Sequence, residues 1–477
     1  MERDIFANLS PLDHRYYLSN RELFDQLSEY LSENAVIKYS LKAERALILA
    51  HLELRGLYSP EIAKSIDLCL ENVSCREVYE EEEKTQHNIR ALVNVVKRYL
   101  PKDIAPLVHL GATSADILDT ATAMRYRDLY RKVLLPLSFQ VEELLIKLAE
   151  DNSNTSQIGR THGQHAVPIT FGFYLSSFVS RLGQSLNRID SLVEDLTGKL
   201  AGATGSYNAL SLITPKPLDL EKKYLEICGL KACEVSTQLV QPEDPLRLVL
   251  ETNIAFGILA NMADDFRHLQ RTEILEVKER FGKDQVGSST MPQKRNPWNC
   301  EHIKSLWKAF SPRVVSFYMD QISEHQRDLT NSASSRFLAD YLSGFAAALA
   351  RMKKVLSSLE VDKDKMRSNL TLSKDMALSE ATYILLSLGG ESEAHEKIRK
   401  LTLKCEERGL SLYQSLEEDH EVWTILQSRL KQLFNLSADQ FFTDPSYYNG
   451  LSKFKTEIIT KKYRELINKL KENNQCC

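Results

Sequence analysis

The stretch Leu182-Gly-Gln-Ser-Leu-Asn-Arg-Ile-Asp-Ser-Leu-Val-Glu-Asp-Leu-Thr-Gly-Lys-Leu200 sets the fold. Its apolar residues Leu182, Leu186, Ile189, Val193, Leu196 and Leu200 fall alternately four and three apart, the seam of a long helix packed on other helices. Working outward, Val133, Leu137, Val141, Leu144 and Leu148 form a second stripe, and Leu342, Phe345, Leu349, Met352 and Leu356 a third. Asp244-Pro245 reads as an N-cap with proline at the first helical position, opening a helix that runs past Phe266. Another helix is expected from near Pro297, carrying Ile303, Leu306 and Phe310. Helices of this length, crowded between residues 120 and 360, predict one elongated bundle.

The flanks read differently. Residues 1–113 carry shorter helical runs broken at Ser59-Pro60 and Pro101, and the chain after 362 has loops at Gly389-Gly390 and Asp444-Pro445. The expected architecture is all-α: a helical domain at 1–113, a central long-helix bundle at 114–362 and a C-terminal helical domain at 363–477. The βαβ alternation is absent, as are GxGxxG and GxxxxGK phosphate loops.

Composition narrows the function classes. Among 477 residues there are only 18 Gly and 14 Pro, so the punctuation of strands and tight turns is scarce. Lys and Arg total 61 against 65 Asp and Glu, a net charge of −4, which offers no broad basic field for nucleic acid. No uncharged apolar run is long enough for a bilayer, so no membrane partner is expected. The N-terminal Met-Glu-Arg-Asp-Ile-Phe is acidic where a secretory leader is basic, which predicts a cytoplasmic protein. The 8 cysteines form no CxxC and no zinc-spaced Cys/His group, so reduced thiols, no metal and no cofactor are expected. Cys476-Cys477 reads as a frayed tail.

Three polar stretches interrupt the helices: His109-Leu-Gly-Ala-Thr-Ser-Ala-Asp116, Gly159-Arg-Thr-His-Gly-Gln-His-Ala-Val-Pro168 and Gly287-Ser-Ser-Thr-Met-Pro-Gln-Lys-Arg-Asn-Pro297. In the first, Thr113, Ser114 and Asp116 taken alone form an ordinary N-cap. In the second, His162 and His165 are three apart, a spacing that shares a helical face. They suit proton transfer near neutrality or, equally, a plain surface pair. In the third, a serine hydroxyl becomes a useful base only where a cation or backbone N–H groups stabilise its alkoxide, and Lys294 and Arg295 stand close by in sequence. The bland alternative is a mobile loop of turn residues.

The third stretch resembles the GSSxMPxKxNP signature of the fumarase/aspartase superfamily, and the other two follow in that family's order. Ser10-Pro-Leu-Asp-His-Arg-Tyr16, Thr85-Gln-His-Asn88, Thr237-Gln238, Gln326-Arg-Asp-Leu-Thr-Asn-Ser332 and Arg336 are similar to its adenylosuccinate lyase branch. Asn88 stands where that branch usually has Asp, and His302 where relatives often place Arg or Asn.

The resemblance implies β-elimination of fumarate from succinylated purine nucleotides, without a cofactor, in a homotetramer whose sites are shared between chains. It implies Ser288 as the base, His162 as the acid and Glu301 as the carboxylate that orients it. Lys294 and Asn296 would hold the succinyl carboxylate, with Ser289 a further donor. Gln86, His87, Asn88, Thr113, Ser114 and Gln238 would line the site, and Arg15, Tyr16, Arg327, Ser332 and Arg336 would hold the nucleotide. Another lyase of the superfamily, such as argininosuccinate lyase, and an inactive structural protein on the same scaffold are the competing readings.

Overall fold

A computed structural model describes residues 4–282 and 287–475, which places the Cys476-Cys477 reading outside the described residues. Long helices dominate: α1 (Ser114–Leu129), α2 (Leu135–Asp151), α3 (Phe171–Glu194), α4 (Glu243–Leu269), α5 (Trp298–Phe310), α6 (Leu338–Ser358) and α7 (Ser452–Gln475). A single π turn, Tyr130–Leu134, joins α1 to α2 just before Pro136, whose missing N–H disfavours an unbroken α-helix there. The core of this bundle includes Phe139, Leu145, Leu182, Leu186, Ile189, Phe256, Phe266, Phe345, Leu349 and Met352, all at most 2% exposed.

Two of the expected helices have different ends. Leu196 and Leu200 keep the heptad spacing but lie beyond α3, which stops at Glu194. Thr197-Gly198 pairs in parallel with Lys231-Ala232, a β-branched residue and a glycine being poor helix continuers. Helix α4 starts at Glu243, with Pro242 rather than Asp244 as its cap. Pro245 still falls in the first turn, where N–H groups have no helical partner to lose. By length and composition α4 is apolar enough to cross a membrane, yet most of it is buried against its neighbours in the bundle.

Helices Glu33–Leu54, Pro60–Leu70, Cys75–Thr85 and Asn88–Tyr99 build a second core from Leu47, Ile48, Val95 and Val96. That core also takes Ile117 and Ala121 from α1 and Leu200, Leu210 and Tyr224 further on, so it reaches across residue 113. Ser59 caps its helix by accepting the Ile62 N–H at 3.2 Å, ahead of Pro60 at the first helical position. A third core, from Leu378 to Phe442, is built by helices Ser379–Leu388, Ala394–Arg408 and His420–Phe434. The last helix, α7, leaves that unit and lays Tyr463, Ile467 and Leu470 into the bundle core, so residues 452–475 pack with 114–362.

The polar stretch at 159–168 interrupts the helices as a β-hairpin, so the spacing of His162 and His165 does not put them on a helical face. Strand β1 (Ser156–Thr161) pairs antiparallel with β2 (Gln164–Thr170), and His162-Gly163 is the two-residue turn. Both turn residues have positive φ, 54° and 76°, as a type I′ turn requires. The register slips at Gly159, where a Cβ would stand 2.8 Å from the Val167 carbonyl oxygen.

Candidate active site

The start of α1 is held by a buried polar knot. Asp116, with no exposure, accepts N–H bonds from Thr113 (2.8 Å), Ala201 (3.0 Å) and Gly202 (3.2 Å) and pairs with the fully buried Lys199 ammonium. A buried charge persists only when paired and hydrogen-bonded, and here both conditions hold. The knot presents the half-buried Thr113 and Ser114 at the helix N-terminus. Just upstream His109, at φ 60°, donates its backbone N–H (3.0 Å) to the buried Glu44 and bonds it through Nδ1 (2.7 Å). Arg327 Nη1 donates to Gln238 Oε1 at 2.7 Å, joining two sequence-predicted residues far apart in the chain.

The loop at 287–297 shapes itself around Ser288. The Ser288 Oγ accepts the N–H groups of Thr290 (3.3 Å) and Met291 (3.1 Å). Asn296 Nδ2 donates to the Gly287 carbonyl at 2.9 Å and closes the loop. Gly287 is required there, because a Cβ would fall 2.0 Å from the Lys294 carbonyl oxygen. Behind the loop, buried Glu279 accepts the Asn299 and Cys300 N–H groups (3.2 and 2.8 Å) and so anchors the start of α5. Lys294, Ser289 and Glu301 are exposed.

Tyr16 Oη and His302 Nε2 lie 2.8 Å apart, which ties the N-terminal segment to α5. Burial first, then Arg351 and Arg15, lowers the His302 pKa, so the neutral ring is favoured as acceptor of the Tyr16 hydroxyl. Arg15 is exposed beside it. Gln86, His87 and Asn88 are exposed at a helix junction, where His87 Nδ1 accepts the Arg90 N–H at 3.3 Å. Ser332 and Arg336 bracket one short exposed helix.

His162 stands exposed at the tip of the hairpin, and among the described residues its side chain has no hydrogen bond or ion pair, with Glu301 or any other group. The hairpin base is fixed, since the fully buried Glu276 takes Arg160 (Nη2 at 2.6 Å) and Gln157 (2.7 Å). His165 Nδ1 meets Ser373 Oγ at 3.3 Å. The chain therefore assembles Thr113 and Ser114 at one helix start, Gln238 with Arg327, Tyr16 with His302, and Asn296 with the Gly287 carbonyl beside Ser288, while among the described residues His162 and Glu301 are not joined. Lys199, Glu279, Glu276 and Glu44 were not singled out from sequence, since a lone Lys or Glu carries no local mark of its distant partner. Among the described residues no group of three His, Cys, Asp or Glu is placed to hold a metal ion.

A family profile described as Lyase matches residues 14–309, and one described as Adenylosuccinate lyase C-terminal matches 323–437. The adenylosuccinate lyase of Pyrococcus horikoshii is 34% identical over 88% of this chain and 92% of its own length. That of Archaeoglobus fulgidus is 31% identical over 96% and 99%. The N-acetyl-S-(2-succino)cysteine lyase of Enterococcus italicus is 30% identical over 90% and 92%. Among solved structures, the 3-carboxy-cis,cis-muconate lactonizing enzyme of Pseudomonas putida superposes with a TM-score of 0.80 at 23% identity, covering 96% of this chain and all of that one. The fumarate lyase of Mesorhizobium sp. BNC1 superposes at 0.79 and 23%, covering 92% and 97%, and both superpositions establish the shared helical fold. With both profiles matched in order and similarity to adenylosuccinate lyases running over nearly the whole chain, the protein belongs to the adenylosuccinate lyase family.

Proposed function

We propose that this carbon–nitrogen lyase expels fumarate from adenylosuccinate, leaving AMP, and from succinylaminoimidazole carboxamide ribotide, leaving the free carboxamide ribotide, in purine nucleotide biosynthesis. The observation that carries the chemistry is the Ser288 hydroxyl facing the Thr290 and Met291 N–H groups at 3.3 and 3.1 Å. Two N–H dipoles aimed at one oxygen stabilise the alkoxide that a serine must become to act as a base. Ser288 takes the proton from the carbon beside a succinyl carboxylate, and the electron pair moves to form the C=C bond as the C–N bond breaks. Lys294 and Asn296 hold the carboxylate on which charge builds, and Ser289 adds a donor. His162 delivers a proton to the departing nitrogen, with Glu301 fixing its tautomer. Thr113, Ser114, Gln86, His87, Asn88 and Gln238 line the substrate. Arg15, Tyr16, Arg327, Ser332 and Arg336 take the nucleotide, guanidinium forks being suited to phosphate.

In this reading His162 and Glu301 of one site come from different chains, in a homotetramer with a common helical core. The exposed His162 turn, without a polar side-chain partner among the described residues, supports this arrangement. Two experiments test the proposal. Purified protein given adenylosuccinate should release AMP and fumarate. Argininosuccinate and N-acetyl-S-(2-succino)cysteine should release none, and preference for either would replace the substrate assignment. Inactive His162→Gln and Ser288→Ala chains, refolded together, should regain about a quarter of wild-type activity through random assortment. A mixture that exchanges subunits yet stays dead rules out shared sites.

A further inference from the structure

We propose that Asp119 is a positioning residue for nucleotide binding, fixing the 237–240 segment against α1 and, through Gln238, the Arg327 guanidinium. The inference rests on the reading of Arg327 as a ligand for the anionic end of the substrate. Asp119 follows Asp116 by one turn of α1, and its Oδ2 accepts the Val240 N–H at 2.9 Å. Two residues earlier in that segment, Gln238 Oε1 receives Arg327 Nη1 at 2.7 Å. The intervening backbone is tightened by the Leu239 N–H to Thr237 Oγ1 (3.2 Å) and the Thr237 N–H to the Leu239 carbonyl (3.1 Å). One carboxylate thus ties the helix that presents Thr113 and Ser114 to the arm that presents Arg327, and nothing in the elimination chemistry uses it.

The charged groups facing Asp119 are Lys199 from the segment after α3, Arg327 from the loop before α6 and Asp116 from its own helix. Burial pushes the Asp119 carboxyl up to about 6, outweighing the opposing pull of the Val240 N–H, Lys199 and Arg327. Asp119 therefore changes charge in mildly acidic solution. Ionised, it binds the Val240 N–H strongly and attracts Arg327; protonated, it does both more weakly.

The test compares wild type with Asp119→Asn, which keeps the shape and removes the charge. KM for adenylosuccinate, kcat, and AMP affinity by calorimetry are measured from pH 5.5 to 8. At pH 8 the variant's KM and AMP Kd should rise about 5–10-fold with kcat within about twofold, the mark of lost uniform binding. The variant-to-wild-type ratio should fall toward one below pH 6, where the wild-type carboxyl is neutral too. The substrate phosphate ionises in the same range but cancels in that ratio. On a Gln238→Met background, Asp119→Asn should add less than about twofold, because the link to Arg327 is already cut. An active wild type with a pH-independent ratio, a kcat loss at unchanged KM, or full additivity on Gln238→Met overturns the proposal alone. A wild type that binds no AMP and releases no fumarate overturns the functional reading and the proposal with it. If Asp119→Asn fails to fold, the same measurements on Asp119→Ser, which also removes the charge, decide the proposal by the same criteria.

Discussion

Around the start of α1, Asp116 is enclosed with Lys199 and three backbone N–H donors, and the residues it supports are fixed within a single chain. Around Ser288 and His162 the side chains stand on turns, and among the described residues the first is hydrogen-bonded by the N–H groups of its own loop and the second by no polar partner. Groups that recognise a substrate gain from rigidity, because ordering is then complete before binding. Groups that move protons need open faces that a substrate, or another subunit, can complete. The contrast also separates two kinds of failure, loss of fold around Asp116 and loss of chemistry around Ser288.

The largest effect should come from Ser288→Ala. With Ser288 as the proposed base, its loss should lower kcat about 10²–10⁴-fold while AMP affinity and the urea midpoint stay near wild type. If turnover persists in Ser288→Ala and vanishes in Ser289→Ala, the two serines exchange roles.

Asp116→Ala should do the reverse. It leaves the Lys199 ammonium buried without its carboxylate, a change that costs about 3–5 kcal/mol and should appear as a lower urea midpoint. Substrate turnover by whatever remains folded should fall far less than in Ser288→Ala. A normally stable Asp116→Ala protein would erase the distinction between the two regions.

Next in size is Glu301→Gln. A carboxylate that only orients an imidazole should cost about 10–100-fold in kcat, less than His162→Gln. Equal mild losses in the two variants would contradict the pairing. Glu301→Gln should leave the urea midpoint unchanged, since Glu301 is exposed in the chain.

Where the sequence could be read, a periodic stripe or a turn residue carried the signal. The stripe at Leu342–Leu356 became α6 and the Pro297 start became α5, because in both the helix ends where the apolar period ends. Leu196 and Leu200 misled, since a buried extended chain also needs apolar residues and their spacing alone does not distinguish it from helix. The stretch around His162 was legible as a polar break between helices, but its strand pairing across the His162-Gly163 turn was not, since a short polar run carries no apolar alternation. Contacts such as Lys199 with Asp116, or the return of α7 to the bundle, depend on tertiary proximity and leave no local pattern. The same limit applies to His162 and Glu301, whose proposed meeting lies between chains.

The smallest effect belongs to a carboxyl that breaks the rule Asp116 obeys. Glu142 on α2 is as buried as Asp116, yet among the described residues neither of its oxygens has a hydrogen-bond partner. It lies where α3 and α7 close in: a Cβ on Gly183 would stand 3.1 Å from Glu142 Oε1 and 2.2 Å from the Tyr463 ring. Burial raises its pKa well above the ordinary carboxyl value, which favours the neutral acid in the folded protein. The folded state then holds a proton that the unfolded chain releases above about pH 4.3. Fewer protons on the unfolded state mean that stability falls as pH rises, the opposite sign to a paired Asp or Glu. Glu142→Gln keeps the volume and cannot ionise, so its stability should fall less between pH 5 and pH 8. Any fixed cost of burying the amide is the same at both pH values and cancels in the comparison. Thermal scans at one rate should place the variant on the order of 2 °C better, relative to wild type, at pH 8 than at pH 5. A pH-independent offset would mean that Glu142 finds a cationic partner in the assembled protein, and the contrast with Asp116 would then be a property of the isolated chain.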